Sequence, residues 1–549
     1  MDVTNRPGTG NWYFLGRGCV RTPDSGLVGG VNAPENKGSG PGPRWWPLGL
    51  LLVVTVARLV QIWFFKDYER QFQFAATAQW LRLALPAALL WFLLLSRFRL
   101  RTRLAGLLTL AALALAAAAG FRFRGIDGDR LPVIEWRWAR TTPPPAPTPG
   151  LASNPPANVN LPLPGAGDYP QFQGPLRDAS LPELVLSTNW SASPPTELWR
   201  QPVGEGWSGF AVSGQRAVSL EQVGDQEVVF ALDLATGKRL WASPYPARYS
   251  SSDAGNGPRS VPTIVDGRVF TAGATGLIQS WDLATGRAGW RVDLVKDLGA
   301  RLPEWGYSAS PLVHRGLVWV PAGAPGRSLV ALDAATGQFR FGGGDSPAAY
   351  SSPLAVKLGG HDQILCLNDA GLAGHDAANG KLLWEQPIPP APHVAAPVVL
   401  GPDRVLVSVG YGKGTFLIGV GPDATGRWTN GVVWKSIRLK SKFANLIPRG
   451  DTLYGLDDGA LVALDLATGA LRWKERRYGH GQLIRVGERL LVGAESGEVA
   501  LVDARPEGMD ELARFRALTD KTWNPPALAG NLLLLRNDRE AVCYRLPLP

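Results

Sequence analysis

Hydrophobic and polar positions divide this chain into two unlike regions. Between residues 45 and 121 the apolar positions form three nearly unbroken runs, 45–65, 75–95 and 104–121, of 21, 21 and 18 residues. As helices, runs of that length can cross a hydrocarbon core about 30 Å thick, so three transmembrane helices are predicted. From residue 168 to 549 no such run occurs. Apolar residues there alternate with polar ones over strand-length stretches, separated by turns rich in Gly and Asp.

One phrase recurs through this second region: ALDLATGKRLW (231–241), SWDLATGRAGW (280–290), ALDAATGQFRF (331–341), GHDAANGKLLW (374–384) and ALDLATGALRW (463–473). In each copy Gly follows Asp by four residues and an aromatic follows Asp by eight, a fixed spacing that marks a structural repeat. The alternation before Asp predicts a strand. The Asp carboxylate can accept from downstream backbone amides and close a tight turn, for which Gly supplies a positive φ. A second strand then ends on Trp or Phe, a ring large enough to fill the space between neighbouring sheets.

The aromatics at 241, 290, 341, 384, 434, 473 and 515 are spaced by 39 to 51 residues, one four-stranded sheet each. An eighth unit starts near Trp523 and stops before a closing aromatic strand, whereas TELWRQPV (196–203) supplies one. The predicted fold is therefore all-β: an eight-bladed propeller of four-stranded antiparallel blades, its last blade closed by N-terminal residues, preceded by about three transmembrane helices. Such closure leaves no open sheet edge.

The rest of the chain is divided accordingly. Residues 1–44, rich in Gly, Pro and Asn, are predicted to be a disordered cytoplasmic tail without a signal peptide. Residues 122–167 form a juxtamembrane segment and a Pro-rich linker, TTPPPAPTPG and beyond, predicted to be a stiff spacer. The loop 96–103 (SRFRLRTR) carries four arginines and no acid, which places it in the cytoplasm and everything after 121 outside. The formal charge is +10, but part of the excess flanks the apolar runs, so no nucleic-acid partner is expected. The three cysteines, Cys19, Cys366 and Cys543, show no metal or redox spacing, and the five histidines no metal motif. Buried thiols are expected at 366 and 543.

These repeats resemble those of the pyrroloquinoline-quinone-like β-propeller superfamily, which includes quinoprotein dehydrogenases and the BamB-type outer-membrane assembly factors. The lead-in DYPQFQGPLRD (168–178) and the juxtamembrane GIDGDRLPVIEWRW (125–138) resemble membrane-anchored bacterial members. The resemblance implies fold more than function. The vicinal cysteines of quinoprotein dehydrogenases are missing, and so is the lipoprotein signal of BamB proteins.

In a propeller the loops leading into the innermost strands ring one mouth of the central channel. Ahead of the eight inner strands stand Trp207 and Ser208; Arg259; Trp305, Tyr307 and Ser308; Tyr350, Ser351 and Ser352; His393; Lys440, Lys442 and Asn445; His480 and Gln482; and Trp523 and Asn524. Aromatic, basic and neutral polar groups recur and carboxylates are scarce. This pattern suits a small anionic or planar ligand and argues against a calcium-held quinone; the competing reading is ordinary polar loop ends. Arg438, Lys440 and Lys442 alternate, as on one strand face that is solvated or meets an acidic partner. The functional expectation is a non-enzymatic scaffold in the bacterial inner membrane, its propeller in the periplasm, binding envelope proteins or such a ligand without a cofactor. Alternatives are a dehydrogenase using pyrroloquinoline quinone, and a polysaccharide- or peptide-binding sensor.

Overall fold

A computed structural model of the chain describes residues 42–66, 69–139 and 167–549. The predicted tail, apart from its last three residues, and the proline-rich stretch 140–166 lie outside the described residues.

Three helices follow the apolar runs: α1 (Trp46–Val60), prolonged by a wider turn at Gln61–Phe65; α2 (Arg70–Leu90), prolonged at Trp91–Leu95; and α3 (Leu100–Gly120). All three are long and apolar enough to cross a membrane. Leu83, Leu94, Leu108 and Leu115 on their surfaces are exposed, a distribution that suits lipid as the surrounding medium. α2 and α3 begin about one turn before the predicted runs, because arginine and glutamine are good helix formers and extend the helix into polar sequence.

α3 leads without a gap into a β-hairpin, β1 (Phe121–Ile126) and β2 (Pro132–Trp136). After the Pro-rich stretch come β3 (Ser180–Leu181) and β4 (Thr196–Pro202), and then the propeller repeats. Eight antiparallel sheets form the wheel, the first seven spanning 211–246, 263–293, 312–343, 354–387, 398–436, 447–477 and 482–516. The eighth joins three C-terminal strands between 527 and 545 to β4, with Cys543 opposite Trp199. The wheel is thus closed by pairing its two ends, as the missing C-terminal strand predicts. β3 adds a fifth, parallel strand to the inner edge of blade 7.

The repeated phrase is the lock between blades. Asp233 Oδ1 accepts from the backbone N–H and hydroxyl of Thr236 at 2.9 and 2.7 Å, and Asp282, Asp333 and Asp465 repeat the arrangement. The aromatic at the other end of the phrase reaches the next blade's turn. Trp199, Trp241, Trp290 and Trp434 donate their indole N–H to the carbonyls of Leu234, Leu283, Ala334 and Leu466, each the residue after the turn's Asp. Their rings lie flat against that turn's Gly: at Gly337, φ is +75° and a Cβ would stand 2.6 Å from the Trp290 ring. Glycine is therefore required here twice over, for the backbone and for the ring. Trp384 departs from the rule and bonds Gln363 Oε1 of its own blade at 2.7 Å. The blade it faces has strands of nine residues (Gly414–Pro422 and Trp428–Ser436), which carry the corresponding turn farther out. Between blades these rings join buried aliphatic clusters, for example Trp241 with Val218, Val229, Ile264 and Leu283.

Cys366 and Cys543 are buried and unpaired in blades 4 and 8, where burial pushes both thiols up to about 12.

Candidate functional site

Antiparallel order puts the loops that lead into the inner strands on one face of the wheel, the mouth, and the DxxTG turns on the other, the far face. The mouth is covered by the chain's own membrane-proximal segments. The β1–β2 turn is shaped locally: Asp127 Oδ1 accepts from the N–H groups of Asp129 and Leu131 at 2.9 and 2.8 Å. It enters the mouth at Gly128, whose N–H donates to Glu495 Oε1 and whose carbonyl accepts from Lys442 Nζ, both at 2.7 Å. A Cβ at Gly128 would stand 2.1 Å from the His480 ring, so no larger residue fits. Asp129 meets Arg477 at 2.9 Å and His480 Nε2 at 3.2 Å. Lys521 Nζ donates to the Ile126 carbonyl at 2.7 Å while lying over the rings of Trp207 and Trp523. Lower on the hairpin, Arg124 pairs with Asp520 and Asp538, and Glu135 with Arg539. The α1–α2 connection reaches the same face, where Gly412 N–H donates to Glu69 and Arg70 N–H to Asp458. The propeller therefore sits directly against the helix ends.

The lead-in segment closes the channel from the other side. Tyr169 bridges to Val212 in blade 1, Pro170 accepts from Ile264 N–H in blade 2, and Arg177 donates to the Ser310 and Pro311 carbonyls ahead of blade 3. The chain then leaves through β3 along blade 7. Phe172 and Gln173, at the tip of this excursion, form a floor.

Between hairpin roof and lead-in floor lies a cavity of about 180 Å³. Of the residues expected at the mouth, Trp207, Arg259, Trp305, Ser308, Tyr350, Ser352, Lys442, Gln482 and Trp523 line it. Trp305 stacks on Tyr350 with centroids 5.0 Å apart. His480 grips the roof. The others turn into the walls. Ser208 donates to the Ser260 carbonyl, Tyr307 to that of Ala322, and His393 Nδ1 lies 2.7 Å from the Asn368 carbonyl oxygen. Asn445 brackets both backbone groups of Leu483, Asn524 donates to the Gly206 and Ser208 carbonyls, and Lys440 pairs with Asp457. These six hold one blade to the next or brace a loop; an inner-strand approach has two sides, and only one faces the channel. The alternation expected for Arg438, Lys440 and Lys442 has no strand beneath it, since blade 5 ends at Ser436 and the three sit in the loop that follows.

Among the charged groups lining the chamber, Arg130 and Asp253 lie 3.9 Å apart as a pair, and the remaining cations are Arg259 and Lys442. Arg259 donates to the carbonyls of Ala254, Gly255 and Gly257 and lies over Tyr249, and among the described residues no carboxylate pairs with it. Burial pulls its pKa down to about 10. Lys442, also without a carboxylate at ion-pair distance among the described residues, is likewise lowered by burial. Asp127, the acid on the roof, is pushed up by burial and uses its carboxylate on its own turn. The Trp207 indole N–H meets no acceptor among the described residues. Asp129, Asp458 and His480 come close enough to hold a metal ion, but Arg477 and Lys442 already contact all three, which makes this an ion-pair cluster. A calcium-held quinone does not fit this chamber. Its volume lies below the roughly 300–1,000 Å³ of small-molecule sites, its carboxylates among the described residues are Asp127, used on its own turn, and Asp253, beside Arg130, rather than a free set, and the two described cysteines sit in different blades.

The hairpin and the lead-in were not singled out as site elements from sequence. One signal was present for the hairpin: FRFRGI and PVIEW alternate around a Gly- and Asp-containing turn, which is a hairpin signature. Tyr411, Phe443 and Phe172, which also line the chamber, had no signal of their own.

The sequence profile of the family described as outer membrane protein assembly factor BamB matches residues 191–293 and 224–475, together more than half of the chain. Among solved structures the chain is similar to BamB from Moraxella catarrhalis, at 16% identity over 64% of this chain and 100% of that one, with a TM-score of 0.48. It is also similar to the quinohemoprotein alcohol dehydrogenase ADHIIG from Pseudomonas putida HK5, at 12% identity over 69% and 80% of the two chains, with a TM-score of 0.41. No curated protein sequence matches the chain.

Proposed function

The chain belongs to the family of the outer membrane protein assembly factor BamB, and from that premise we propose that it is a non-enzymatic scaffold of the bacterial cell envelope. Its three helices anchor it in the inner membrane, and its propeller stands in the periplasm to hold protein partners. The observation that carries this reading is the cover over the channel: roof and floor are both segments of the same chain, which leaves the far face and the rim as the surfaces free of such cover. The topology agrees with it, since the α1–α2 connection and the end of α3 meet the same mouth while the arginine-rich loop 96–103 lies at the opposite helix ends.

A photo-crosslinking residue placed in the native chain tests this. At the exposed far-face positions Thr236 and Ala335 it should capture partner proteins, and at Asp225 on the mouth side it should not. Adducts confined to Asp225 would contradict the proposal.

The chamber supports a second reading, a small planar anion held between the Trp305–Tyr350 stack and Trp207, facing Arg259 and Lys442. Its volume is close to the roughly 150 Å³ that accommodates benzene in an engineered cavity, so the ligand would carry a single ring. Salicylate titrated against the full chain should bind, and Arg259→Gln should weaken binding about tenfold, equivalent to about 1.4 kcal/mol. Equal affinity in both would remove this reading.

A further inference from the structure

The β1–β2 hairpin has two opposite faces. On one, Arg124 and Glu135 make the ion pairs to Asp520, Asp538 and Arg539 that hold it on the propeller. On the other, cross-strand pairing places Phe121 opposite Trp136 and Phe123 opposite Ile134. All four are exposed, Phe123 to 59% and Ile134 to 61%, and Trp138 continues the patch at 66%. The Phe121, Trp136 and Trp138 rings pack edge to face in a row, with centroids 5.1 and 4.9 Å apart. A contiguous aromatic surface of this kind is uncommon on a protein that meets only water.

Its position says what covers it. Phe121 follows Gly120, the last residue of α3, with nothing between. The patch therefore begins where the apolar helix ends. At the level of the same helix ends, Phe64 and Phe65 close α1 and are about 80% exposed. Aromatic side chains at the ends of membrane spans settle at the boundary between headgroups and acyl chains. Arg137, next to Trp136 and Trp138, has a cationic head that can stay among headgroups.

We propose that the apolar face of the β1–β2 hairpin is a lipid-binding surface that lies in the outer interface of the same bilayer the helices cross. The hairpin is then a coupling piece. Its lipid face fixes it to the membrane surface, its charged face and Gly128 fix it to the propeller, and the wheel is held with its mouth toward the lipid. This inference rests on the reading of the helices as membrane spans.

The test uses the full chain with Cys19→Ser, since the thiols at 366 and 543 are buried. Ile134→Cys, Leu108→Cys within α3 and Thr236→Cys on the far face are each labelled with an environment-sensitive fluorophore. The proteins are reconstituted into vesicles of phosphatidylethanolamine and phosphatidylglycerol carrying quencher on the acyl chains. The label at 134, roughly 5–10 Å into the interface, should be quenched by lipids labelled near the headgroup end. The label at 108 should be quenched by deeper ones, and the label at 236 by neither. A label at 134 as water-exposed as that at 236 overturns the proposal, and so does one shielded from water yet out of reach of lipid quencher, which would mean that protein covers the face. Loss of quenching at 108 would instead refute the spanning helices.

Discussion

The two faces of this wheel are built by opposite strategies. On the far face one solution is repeated: Asp closes a turn with Thr, Gly bares the backbone, and the previous blade's Trp lies on that Gly and bonds the carbonyl beside it. At the mouth nearly every contact is singular: Gly128 against His480, Lys442 on the Gly128 carbonyl, Arg124 between two aspartates. Repetition serves stability, because each lock does the same work between similar neighbours. Singularity serves attachment, because one hairpin has to find one place on a wheel with eight similar spokes.

The contrast can be broken at either face. Trp241→Ala should have the largest effect. It removes a ring that is 2% exposed together with its hydrogen bond, and calorimetry or denaturant unfolding should show a loss of about 3–5 kcal/mol, with the hairpin still docked in the molecules that remain folded. Gly128→Val should do the reverse. Forcing a side chain into His480 should cost the docked state about 1–3 kcal/mol. Hydrogen exchange should then show faster amides across 121–136, with far-face protection unchanged.

Acid should act on the mouth through its carboxylates. Burial pushes Asp129 up, but His480 and Arg477 outweigh it and hold the carboxyl below its usual range. Glu135, held by Arg539 and Arg122, and Asp520, held by the Lys521 N–H and Arg124, also resist burial and end lowered. Groups whose pKa is depressed in the docked state stabilise it fully above the ordinary carboxylate value, about 4, and lose that contribution as pH falls through the lowered value. Asp127, raised by burial, works the other way, one group against three. Hairpin protection should therefore decline below about pH 4 and recover on neutralisation. Thr236→Ala should have the smallest effect, since a single turn among the repeated locks loses a surface hydroxyl contact, and unfolding should register about 0.5–1 kcal/mol.

The same contrast explains what was legible in the chain. The far face could be read because its chemistry is written five times over, and the spacing from Asp to Gly to aromatic is the spacing of the lock itself. Even the join between Trp199 and the C-terminal strands followed from counting strands. That the Trp N–H would bond the next blade's turn was not readable, because it depends on how adjacent sheets are rotated. The mouth was half readable. Loops leading into inner strands were located, but whether Tyr307 or Trp305 faces the channel depends on a rotation of single residues in irregular backbone. The roof was hidden for a different reason. Gly128 and His480 are more than 350 residues apart, and nothing local in GIDGDR says which surface that turn will enter.

The central claim is that the propeller's mouth is covered by the chain's own membrane-proximal hairpin. Cryo-electron microscopy of the full chain in a lipid nanodisc tests it most directly. The account predicts a wheel whose mouth faces the bilayer, with residues 126–130 inserted beside His480, Lys442 and Glu495. A wheel standing clear of the membrane with an open channel, or docked by its far face, would contradict it.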